Sequence, residues 1–112
     1  MKSFSIILTI LVSVAIALTD KEKNALTIFN SRYHPDNHTK TVLVAELSEY
    51  SANAGLTSVK TKFDQKQYAA AGQELASHVA SLKSDPLVQP GKQYAMSYGM
   101  LNDCVKEFRG IA

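Results

Sequence analysis

Lys92-Gln93-Tyr94-Ala95-Met96-Ser97-Tyr98-Gly99-Met100-Leu101-Asn102-Asp103-Cys104-Val105-Lys106-Glu107-Phe108-Arg109-Gly110 decides the fold class. Tyr94, Tyr98, Leu101, Val105 and Phe108 recur at intervals of four and three residues. At about 100° per residue that spacing stacks them on one side of an α-helix, and the alternation of a strand does not fit it. The helix is expected from about Lys92 to Phe108, with Gly110 as its stop. Met96, Met100 and Cys104 follow at i, i+4 and i+8. They widen the apolar arc to roughly 160° without Met96 and about 200° with it, where a surface helix needs only about 100°. Such a helix either sits at the centre of a bundle, the ordinary role of Met and Tyr stripes, or keeps an apolar strip for something else. Methionines repack easily, so Met96, Met100 and Cys104 are the candidate strip for an apolar ligand or a partner helix.

Working back from this helix, every other segment also has helical spacing. Tyr68, Ala71, Gly72, Leu75, Val79 and Leu82 share one face of a region running from Leu56 to Lys83. Leu56, Val59 and Phe63 share another face, turned away by about 130° on the same wheel. A break is therefore expected at Phe63-Asp64, with Asp64 and Gln67 spaced as a second N-cap and its partner. Ala69, Ala76 and Ala80 form a small-residue face, suited either to close helix approach or to water. Leu43, Leu47, Tyr50 and Ala54 predict a helix over about Thr41 to Ala54, ended by Asn53 to Gly55. Thr19 and Glu22 have the spacing of a capping box. They open a helix carrying Ala25, Leu26, Phe29 and Tyr33, which Pro35 stops. The fold expected is all-α: a small single-domain bundle of four main helices, one kinked or broken near Asp64.

The amino-terminal end has a different character. Lys2 precedes an almost unbroken apolar run from Phe4 to Val14, and Ala15-Ile16-Ala17 ends it as an A-x-A triplet. This is the pattern of a secretory signal peptide over residues 1–17, with Leu18 as the first mature residue and 18–112 as the helical domain. The apolar run is short for a membrane span and Thr19-Asp20-Lys21-Glu22 follows it closely, so no integral membrane anchor is expected. Without Lys2 the chain carries eleven Lys and Arg against ten Asp and Glu, and the signs are interleaved. That distribution argues against a nucleic-acid partner. A single cysteine, Cys104, excludes an intramolecular disulfide in a secreted protein; it leaves a buried thiol, or a Cys104-linked dimer in place of a monomer.

Chemistry-bearing motifs are few. Asn37-His38-Thr39 is an N-glycosylation sequon, making Asn37 the candidate glycosylated residue. His34 and His38 are four apart, but Pro35 between them removes the helical geometry that would let the pair grip a metal. His78, on the edge of the Tyr68/Leu75/Val79/Leu82 face, is expected half-buried with a wet ring nitrogen, and Glu46/Glu49 and Asp103/Glu107 are read as solvated surface charge. The sequence lacks a Gly-x-Ser-x-Gly elbow, a His-Glu-x-x-His helix and a glycine-rich phosphate loop. A Cys104–His78 dyad rests on nothing beyond the presence of the two residues. No catalytic residue, cofactor or metal is assigned. The expected function is a secreted binding or interaction module for an apolar small molecule or a protein partner. A structural surface or matrix component is the alternative, and a small hydrolase comes last.

Overall fold

The computed structural model describes residues 17–112. The basic start and apolar run of the expected leader lie outside the described residues. Those described form five α-helices and no strand: α1 (Asp20–Arg32), α2 (Lys40–Asn53), α3 (Thr57–Asp64), α4 (Tyr68–Ser81) and α5 (Ala95–Ile111). Two single 3₁₀ turns, Leu82–Ser84 and Pro86–Val88, lead from α4 towards α5. The all-α expectation holds.

Helix boundaries follow local chemistry. The Thr19 hydroxyl accepts from the Glu22 amide at 3.1 Å, and the Glu22 carboxylate accepts from the Thr19 amide at 2.8 Å, so the capping box is complete. Thr39 caps α2 by accepting from the Val42 amide at 3.3 Å. Gly55, at φ +77°, reverses the chain after α2, and the Leu56 amide donates back to the Ser51 carbonyl at 2.9 Å. That is the glycine-dependent way of satisfying the last carbonyls of a helix.

The count of helices differs from the four predicted. The region between Leu56 and Lys83 forms two separate helices, and the turn between them is Gln65-Lys66-Gln67, just past the expected break. Asp64 does not cap α4; it ends α3 and pairs with Lys60 one turn back. The turn is instead closed by the backbone: Lys66 takes φ +62°, and the Gln67 amide donates to the Lys62 carbonyl at 2.8 Å. This is the same reversal as at Gly55, built with a residue whose Cβ makes the left-handed conformation costly by about 1–2 kcal/mol. The two apolar faces flanking the turn point in different directions. A reversal lets both reach the core; a kink would not.

The last helix begins at Ala95, three residues later than Lys92, because Gly91 at φ +80° and a Tyr94-to-Leu87 amide–carbonyl bond of 2.9 Å hold the preceding segment as a turn. Helix α5 packs against α1, α2 and α4, and against the second 3₁₀ turn. It is the central helix of the bundle, which is why its apolar arc is so wide. Leu101, Cys104 and Phe108 are fully enclosed, together with Leu26 of α1, Leu43 and Leu47 of α2 and Leu75 of α4. Phe108 lies 5.8 Å from Phe63 and 6.5 Å from Tyr68, centroid to centroid. Helices α4 and α5 approach tightly at Gly72, where a Cβ would stand 2.8 Å from the Phe108 ring. Ala69 and Ala80 face water and Ala76 is half-buried, so the close approach is made by Gly72 and not by the alanine face.

Candidate ligand-binding groove at Glu46

Helix α2 carries a carboxylate where its sequence calls for an apolar residue. Glu46 lies three residues after Leu43 and four before Tyr50, inside the stripe that faces the core, and is only 9% exposed. One carboxylate oxygen accepts from the His34 amide at 3.0 Å, which ties the α1–α2 loop to α2. The other, Oε1, is buried without a hydrogen-bond partner among the described residues. Burial is the main influence on this acid and raises its pKa above the ordinary 4.5; the His34 amide opposes the shift. The expectation that Glu46 and Glu49 are both solvated surface charges therefore fails for Glu46. Glu49, one turn nearer solvent, makes an ion pair with Arg32 at the end of α1.

Glu46 lines a groove of about 380 Å³, together with Ser31, Arg32, His34, Val42, Ala45 and Glu49. Its volume falls within the range of small-molecule sites, and such sites combine apolar walls with a few placed polar groups. Counting Arg32 against Glu46 and Glu49, its fixed charges sum towards the negative. A second recess of about 220 Å³, between Tyr68, Gly72, Phe108 and Arg109, contains no buried charged group.

The cost of the buried acid is open to measurement. A carboxyl whose pKa is higher folded than unfolded makes the folded state bind protons more readily. It therefore lowers stability as pH rises from about 4.5 through its raised folded value. Glu46→Gln, which keeps an acceptor for His34, is expected to melt with wild type at pH 4. At pH 8 it should melt higher, by the order of 1 kcal/mol. Thermal melts at the two pH values check this, and an unchanged difference would refute the burial argument.

The sequence-predicted strip is not exposed as a unit. Met96 is 70% exposed, Met100 is half-buried against the core, and Cys104 is fully enclosed. Burial first, then the carboxylates of Glu46 and Glu107, push the Cys104 thiol up to about 12, so it stays protonated at neutral pH. A disulfide through Cys104 would require α5 to leave the core. His78 is half-buried, as expected, and its Nε2 lies 3.4 Å from the Tyr50 hydroxyl and 3.5 Å from Glu22. Burial depresses its pKa, against the pull of Glu22. Those two partners, and not Cys104, occupy the imidazole. His34 and His38 do not converge; the His34 backbone serves Glu46, and the His38 ring pairs with Glu107 at 2.5 Å. Among the described residues no group of three His, Cys, Asp or Glu side chains is placed to hold a metal ion, and no helix is long and apolar enough to cross a membrane. Asn37 is exposed in the turn before α2, while Thr39 of its sequon is engaged as the α2 cap.

Sequence reasoning overlooked Glu46. The signal was its register: a charged residue at i+3 from one core leucine and i−4 from a core tyrosine. Asp85, 2% exposed, was overlooked in the same way because it reads as an ordinary loop residue between Ser84 and Pro86. No protein-family model, no curated protein and no solved structure matches this chain.

Proposed function

We propose that the chain is a secreted, non-enzymatic binding module. It takes a small molecule with an apolar body and a cationic amine head in the groove between α1 and α2. The observation that carries this reading is that Glu46, one of whose carboxylate oxygens is buried without a partner, lines a groove of ligand size. A buried acceptor without a donor is destabilising; an ammonium in the groove, with the Glu46 side chain turned to expose that oxygen, would both satisfy it and favour its ionised form. Val42, Ala45 and the aliphatic stem of Arg32 offer the apolar contact, and Glu49 adds negative charge at the rim. The proposal includes residues 1–17 as a removed leader, 18–112 as the mature domain, and sugar on Asn37 as an accessory feature. Met96 remains a contact point for a protein partner because it is a large apolar side chain that is 70% exposed. The alternative of a Cys104-linked structural dimer is weaker, since the thiol lies in the core.

The test is calorimetric titration with n-octylamine, 1-octanol and octanoate, three probes that differ only in the head group. The amine should bind at least about tenfold more tightly than the alcohol, the worth of one charge-assisted hydrogen bond, and octanoate should bind worst. Glu46→Gln should bring the amine to the level of the alcohol with the helical spectrum intact. Equal affinities for all three probes, or none for any, would overturn the proposal.

A further inference from the structure

Asp85 is a second buried carboxylate, remote from the groove and unused by it. It sits in the link between α4 and α5, capping the turn Pro86–Val88, and is 2% exposed. Its Oδ1 accepts from the Leu87 amide at 2.8 Å. Its Oδ2 accepts from the backbone nitrogen of Leu18, also at 2.8 Å, across sixty-seven residues of chain. The Leu18 side chain is 5% exposed and belongs to the hydrophobic core. Among the described residues no cationic side chain pairs with Asp85; the ion pairs lie elsewhere. A buried carboxylate held by two neutral amides alone is incompletely compensated.

The nitrogen on Asp85 is the one that removal of the leader would change. We infer that Asp85 is a receptor for the mature amino terminus: cleavage after Ala17 turns the Leu18 amide into an α-ammonium that forms a buried ion pair with Asp85. This rests on the leader reading and extends it. Hydrolysis adds water across the Ala17–Leu18 bond. The carboxyl stays on Ala17, and its proton passes to the new amine, which gives a carboxylate and an ammonium. The atom already stands at hydrogen-bond distance, so the fold needs no rearrangement to gain the charge. Capture of a terminal amine by a fixed acceptor is a known recognition mode. Burial of Leu18 also sets an order of events. A peptidase needs the bond extended and accessible, so cleavage precedes docking, and the folded mature chain hides its own first residue.

The test begins with full-length chain expressed in a secreting host. Intact mass and amino-terminal sequencing identify the first residue. Acetic anhydride labelling near neutral pH then compares the Leu18 amine with the lysine side chains, in native protein and in urea. Leu18 should acetylate at least tenfold more slowly when native than when unfolded, while exposed Lys92 should change little. In Asp85→Asn the protection should be largely lost and the melting temperature lowered. Should that variant fail to fold, the wild-type comparison of native and unfolded labelling still decides the matter. A product beginning elsewhere overturns both the leader reading and the ion pair. A product beginning at Leu18 whose amine labels equally fast in both states overturns the ion pair alone.

Discussion

Leu101→Asp is expected to abolish the folded state, and Asp103→Ala, two residues away, to leave it almost untouched. Leu101 has no exposed surface and stands midway along the one helix that touches α1, α2 and α4. A carboxylate there loses its hydration inside the hydrophobic core, a cost of several kcal/mol. A domain this small has about 5–10 kcal/mol in total. Asp103 is exposed on the opposite side of α5, where substitutions usually shift stability by no more than about 0.5 kcal/mol. Circular dichroism melts of the two variants should show no cooperative transition for the first and a near-wild-type midpoint for the second. Equal shifts would mean that the phase assigned to α5 is wrong.

The second large effect lies where α4 and α5 touch. Phe108→Ala is expected to cost about 3–5 kcal/mol, the usual penalty for emptying a fully buried aromatic site. Gly72→Ala is a finer probe of the same contact. In the wild-type background its Cβ would lie 2.8 Å from a ring that Phe63 and Tyr68 flank. Overpacking of this kind costs about 1–3 kcal/mol, which outweighs the gain of up to about 1 kcal/mol that alanine offers over glycine in a helix. With Phe108→Ala the ring is gone and only the helical gain remains, so Gly72→Ala should change sign and stabilise. Denaturant unfolding of the four proteins in the cycle measures that coupling. A Gly72→Ala effect that is the same in both backgrounds would show that the helices do not meet at this pair.

Both predictions rest on positions whose helical register the amino-acid pattern itself displays. The stripe Tyr94, Tyr98, Leu101, Val105, Phe108 shows the helix and its buried face, and the Thr19/Glu22 box shows where α1 starts. Periodicity and capping are local, with causes that lie within a few residues. The change of phase between Val59/Phe63 and Leu75/Val79 likewise announces a break. Its form is not local, because Lys66 takes a left-handed conformation that lysine disfavours and that only the packing of α3 and α4 together explains.

The residues with functional interest fall on the other side of that line. Met96, Met100 and Cys104 share a helix face, yet only tertiary packing decides that neighbouring helices enclose the last, half-cover the second and leave the first in water. Glu46 and Asp85 look like surface acids because a side chain's charge is local while its burial is not. Glu46 becomes a buried acid when the α1–α2 loop folds over it and the His34 amide takes one of its oxygens. Asp85 becomes one when Leu18 arrives from the far end of the chain. The amino-acid sequence determined that the domain is helical, which faces seek the core and where most helices stop. Which polar groups the closed bundle would trap, and which would find partners, was decided only by contacts between residues distant in the chain, since desolvation depends on everything that packs around a group and not on its neighbours in sequence.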